Sequence, residues 1–128
     1  MIIENVSRLN FSETVDKLSS GLAATGWKIP AIHDLQSTIR NAGKEILPVK
    51  IIETCNPKHS GRLLELDYER IVSIFMPCRI SVYEKSDGKT YISRINASLL
   101  SKSYGGLIEE VMSAANDEME DIIRPLIP

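Results

Sequence analysis

The hydrophobic positions of this chain change period several times, and each change marks an element. Ile2 to Val6 is a short apolar run that reads as a strand. Val15, Leu18 and Leu22 then recur at helical spacing. Asn10 or Ser12 can cap that helix, because either side-chain oxygen can accept a hydrogen bond from a first-turn N–H. Gly26 is its left-handed stop. Trp27 to His33 alternates like a strand, and Pro30 places it at an edge or a bulge, since proline has no N–H for a ladder. Asp34 caps a second helix with Leu35, Ile39 and Ala42 on its buried face, and Gly43 closes it.

Leu47 to Cys55 is the next strand, with Val49, Ile51, Glu53 and Cys55 on one face and Lys50, Ile52 and Thr54 on the other. Asn56-Pro57 breaks it. A helix follows over Gly61 to Arg70, and then the apolar run Ile71 to Met76. Pro77 to Glu84 and Lys89 to Ile95 form a hairpin around Asp87-Gly88, residues that tolerate positive φ in a tight turn. Cys78, Ile80 and Val82 share one of its faces. After the break at Tyr104-Gly105-Gly106, a last helix runs from Leu107 to Ile123 with Ile108, Val111, Met112, Ala115, Met119 and Ile122 in a stripe.

The order β-α-β-α-β-α-β-β-α predicts an α+β fold: a single mixed, largely antiparallel sheet with helices packed on it. Neither a repeat nor a linker interrupts the chain, so residues 1–128 read as one domain. At this length roughly two-thirds of the unfolded surface is buried, enough for a core without staples.

Composition narrows the partners. The formal charge is −2, from 15 basic and 17 acidic residues that are interspersed along the chain. That balance lacks the basic stripe of a nucleic-acid binder, so neither DNA nor RNA is expected as partner. No run approaches the roughly 18–20 apolar residues that span a bilayer, and the start lacks a signal peptide. The expectation is a cytoplasmic protein without membrane insertion. In that setting its 2 cysteines are expected reduced.

Those cysteines are the candidate chemistry. Cys55 ends one strand and Cys78 begins another, each near a proline, so antiparallel pairing would bring both thiols to one rim of the sheet. His33 ends a further strand and is the expected third member, with Met76 and His59 close by in sequence. Thiolate, thioether and imidazole form a soft donor set for Cu(I), zinc or haem iron. The same thiols can instead be buried packing residues. Asn56 to Gly61 precedes a helix, where free N–H groups with Lys58, Ser60 and Arg62 could receive an anion; a plain strand-to-helix turn is the alternative. His33-Asp34 could be an acid–base pair, or Asp34 could simply cap. Glu53 is a candidate base on the face of Cys55.

Phe11-Ser12-Glu13-Thr14, His33-Asp34, Asn56-Pro57-Lys58 and the run Met76 to Glu84, followed by Asp87-Gly88-Lys89, give the chain a resemblance to the domain-of-unknown-function 302 family. The resemblance spans nearly the whole chain. It implies a compact α+β fold and homodimers, and it implies no reaction. Where the family commonly reads Gly-Asn-Pro, this sequence reads Cys55-Asn56-Pro57, and Cys78 stands where an aliphatic residue is usual, so it resembles a cysteine-bearing subgroup.

Three functions follow. The first is a non-catalytic binding module for a soft metal, haem or a small thiol-reactive ligand at Cys55, Cys78 and His33. The second is a thiol-based redox enzyme with Cys55 as nucleophile, since it precedes a helix start. The third is a dimeric interaction domain without small-molecule chemistry.

Overall fold

A computed structural model describes residues 1–128. Five strands form its sheet: β1 (Ile2–Val6), β2 (Lys28–Asp34), β3 (Val49–Cys55), β4 (Cys78–Glu84) and β5 (Thr90–Ile95), in the order β1-β5-β4-β3-β2. Every pairing is antiparallel. β1 and β2 do run parallel, but they occupy opposite edges with three strands between them. The sheet is therefore antiparallel throughout, with no parallel pair to make it mixed.

Five α-helices accompany it: α1 (Phe11–Ala24), α2 (Leu35–Asn41), α3 (Pro57–Leu64), α4 (Ala97–Ser101) and α5 (Gly106–Ile123). Asn10 caps α1 by accepting from the Glu13 N–H, and Asp34 caps α2 by accepting from the Ser37 N–H. Pro30 sits where both of its constraints are met, on the edge strand β2 at a register shift between Lys28 and Ala31. Gly88 closes the β4–β5 hairpin at φ 79°.

α3 begins four residues earlier than the apolar spacing indicates. Asn56 accepts from the Lys58 N–H and Pro57 occupies the first turn, where its missing N–H costs nothing. The apolar run after it is a 3-10 helix over Glu69–Phe75. α4 has no periodic apolar stripe to announce it in the sequence; Asn96 caps it by accepting from the Leu99 N–H.

One sheet face is covered. Leu18 and Leu22 of α1 and Ile123 of α5 meet Ile52, Ile80, Val82 and Ile92, all without exposed surface. Full burial of such side chains stabilises by about 1.5–3 kcal/mol each before entropy is counted. A second cluster joins Leu63 of α3, Val72 of the 3-10 helix, and Ile108 and Val111 of α5. The opposite face, with Ile51, Ser81, Tyr83, Tyr91 and Ser93, is only partly covered. No helix is long and apolar enough to cross a membrane.

Candidate functional site

β3 and β4 are antiparallel, so the end of one lies beside the start of the other, and Thr54 is the ladder partner of Cys78. Cys78 points to the covered face with Ile80 and Val82. Cys55 follows Thr54 as the last residue of β3, where the chain turns into α3, and its Sγ lies 3.2 Å from Ser60 Oγ. Both cysteines are free and partly buried. They line one cavity of about 230 Å³, walled mainly by hydrophobic side chains of α3, α5 and the 3-10 helix, including Val72, Val111, Met112 and Met119. Met76 lies in the same wall, just before the cis peptide to Pro77.

The polar groups of the cavity are few. His59 is 9% exposed, and its Nε2 is hydrogen-bonded to Glu118 of α5. Lys58 Nζ reaches the other oxygen of that carboxylate at 3.6 Å. Burial holds the His59 pKa below its ordinary value and outweighs the opposing pull of Glu118. The neutral ring therefore donates Nε2–H to the carboxylate and keeps Nδ1 as an acceptor. Trp27 packs beside it with ring centroids 6.4 Å apart, and its buried Nε1–H has no partner. Arg94, also in the lining, is committed to Glu120 through two hydrogen bonds of 2.9 and 2.6 Å and to Asn5 at 2.7 Å.

Burial, with a smaller contribution from Cys55 nearby, pushes the Cys78 thiol up to about 11. At neutral pH it is a protonated thiol, which is a poor nucleophile and a poor metal ligand. No group of three or more His, Cys, Asp or Glu side chains is placed to hold a metal ion.

Of the residues read from sequence, the structure gathers Cys55, Cys78, Met76, His59 and Ser60 at the cavity. His33 is elsewhere. β2 is antiparallel to β3, with Lys28 beside Cys55, so the end of β2 lies at the opposite rim. His33 Nε2 there contacts Glu53 Oε1 at 2.7 Å on the open face, with Arg79 Nη2 3.8 Å from the same oxygen. Glu53, too, is thus turned away from the cavity. Asp34 is a cap and makes no acid–base pair with His33.

The anion site expected at Lys58, Ser60 and Arg62 has its groups already engaged. Lys58 pairs with Glu118, Arg62 Nη2 lies 3.5 Å from Glu110, and Ser60 Oγ contacts Asn56 O and Cys55 Sγ. The Asn56 side chain takes the Lys58 N–H.

Trp27, Glu118 and Arg94 were missed. Glu118 falls three residues after Ala115 and one before buried Met119, inside the apolar stripe of α5, and Arg94 continues the inward alternation of Thr90 and Ile92. A charge at a core position was the available signal in both cases.

Residues 3–126 match the family model described as Domain of unknown function DUF302. The fold is similar to the crystal structure of an uncharacterized conserved DUF302 protein from Bacillus stearothermophilus, with a TM-score of 0.85 at 20% identity over 98% of this chain and 97% of that one. No curated protein matches the sequence. The chain is a member of the DUF302 family.

Proposed function

We propose that this domain is a non-catalytic binding module that takes a small, mainly apolar molecule in the cavity between β3, β4, α3 and α5. The observation that carries this reading is the convergence of both thiols, Met76, His59 and Trp27 on one largely hydrophobic hollow. Apolar walls with a few placed polar groups are the usual make-up of a small-ligand site. At about 230 Å³ the hollow is below the roughly 300–1,000 Å³ of drug-sized pockets, so it suits a single-ring molecule rather than a haem macrocycle.

The thiols favour the same reading. A soft metal ion would meet two sulfurs and the Met76 thioether, one of the thiols being held protonated by burial. In a redox enzyme with Cys55 as nucleophile, Cys78 would be the resolving thiol, and a thiol held protonated by burial resolves slowly. Cys55 at the cavity wall is the residue for a thiol-reactive ligand. A reducing compartment such as the cytoplasm, where both thiols stay free, suits this arrangement.

The test is alkylation of Cys55 by iodoacetamide, followed by intact-mass spectrometry with and without saturating p-xylene. The expected result is a several-fold slower reaction with p-xylene present. An unchanged rate contradicts the reading.

A second reading, compatible with the first, is self-association through the open sheet face. Ile2 and Ile95 are cross-strand partners there and stand 74% and 50% exposed. Light scattering would return twice the 14.3 kDa chain mass. A monomer mass at every concentration contradicts it.

A further inference from the structure

We infer that the cavity is built for a neutral molecule with a compact apolar body and one hydroxyl group, the hydroxyl lying between His59 and Trp27. This rests on the binding reading above and adds the chemical class of the ligand.

One buried donor, and a ring nitrogen on the neighbouring side chain, have no partner within the protein. The Trp27 ring is 3% exposed and lines the cavity, yet its Nε1–H donates to nothing. The His59 ring is bonded only through Nε2, to Glu118, which leaves Nδ1 as an acceptor with no protein donor. Buried polar groups are nearly always satisfied, and one left over in a cavity wall marks a place for a bound group. One unmet donor and one unmet acceptor stand on neighbouring rings. A hydroxyl is the smallest group that both donates and accepts.

Charge and size narrow the class further. Of the two arginines in the lining, Arg94 is engaged by Glu120 and Asn5, and Arg79 Nη2 lies 3.8 Å from Glu53, so each already has a partner that competes with a carboxylate or phosphate. A cationic ligand would replace bulk water with walls that are mainly hydrophobic, at a large desolvation cost. An apolar cavity of about 150 Å³ holds benzene. The 230 Å³ here leaves room for one ring with small substituents. A phenol or a branched aliphatic alcohol meets all of these conditions.

The sole tryptophan gives the test its readout, because the protein has a single indole N–H resonance, that of Trp27. The ¹⁵N-labelled full-length chain is titrated at pH 7.5 with p-cresol and, separately, with p-xylene, which replaces the hydroxyl by a methyl group. The expected result is p-cresol binding about tenfold more tightly or better, with the indole proton moving downfield only for p-cresol. In Trp27→Phe the ratio of the two affinities falls towards one. Equal affinities in the native protein overturn the hydroxyl inference while leaving the cavity reading intact. Binding of neither probe overturns both. A preference for p-cresol undiminished in a folded Trp27→Phe variant overturns the role given to Trp27.

Discussion

Thr54 and Cys78 are ladder partners, which puts Cys55, the next residue along β3, at the same rim where Cys78 opens β4. That single register relation makes two residues 23 positions apart in sequence into one wall. Its consequences differ for the two thiols, because Cys78 continues the inward alternation of Ile80 and Val82 while Cys55 stands at the turn into α3.

The buried thiol is expected to be inert. With its pKa pushed up to about 11, Cys78 holds a thiolate fraction at pH 8 on the order of a hundredfold below that of an ordinary cysteine. In a Cys55→Ser variant, Cys78 is the sole thiol. Its alkylation by iodoacetamide at pH 8 should be slower than that of free cysteine by a comparable factor. A rate within threefold of free cysteine would show that burial does not govern it.

His59 sets a pH dependence of stability. Its folded-state pKa lies below the ordinary value of 6.5 because burial penalises the charged ring. A group depressed on folding contributes stability that is complete above its unfolded pKa. That stability is lost as pH falls from about 6.5 through the lower, folded value. Urea unfolding of the native protein should therefore weaken from pH 7 to pH 5 more steeply than that of His59→Gln. Parallel profiles would remove His59 from the explanation.

α1 and α5 meet closely at Gly21. A Cβ there would stand 2.9 Å from Ile122 Cγ2, a branched methyl with little freedom to withdraw. Gly21→Ala should destabilise by about 1–3 kcal/mol through overpacking, against the gain that alanine usually brings to a helix. Chemical denaturation checks it, and a more stable variant would mean that the two helices part at no cost.

Arg94 and Glu120 form the best-buried ion pair, with side chains 3% and 22% exposed. Removing one partner leaves a buried charge, so Glu120→Ala should cost about 3–5 kcal/mol. Replacing both by apolar residues should cost much less. A double variant as weak as the single one would show that the pair contributes attraction beyond mutual neutralisation.

The fold was legible where local chemistry decides it. Asn10 and Asp34 announce α1 and α2 by their capping oxygens, and Asp87-Gly88 announces the β4–β5 hairpin. Pro30 foretold an edge, and β2 is one. What could not be read was which strands are neighbours. His33 was grouped with the cysteines because it ends a strand, but antiparallel pairing sends the end of β2 to the start of β3, away from Cys55. Cys55 and Cys78 come to one rim because β3 and β4 are adjacent. His59 was legible only as a neighbour of Cys55. Its partner Glu118 lies 59 residues on, and only the packing of α3 on α5 joins them. Trp27 was read as part of a strand pattern, and nothing in a sequence says that an indole N–H will lack a partner.

The central claim is that the hollow around Cys55, Cys78, His59 and Trp27 is a binding site. Its most direct test is the position of p-xylene in an NMR titration of the uniformly labelled protein. The account predicts saturable shifts concentrated on Trp27, Cys55, His59, Cys78, Met112 and Ala115, with the open face at Ser81, Tyr91 and Ser93 unmoved. Shifts centred on the open face, or none that saturate, would contradict it.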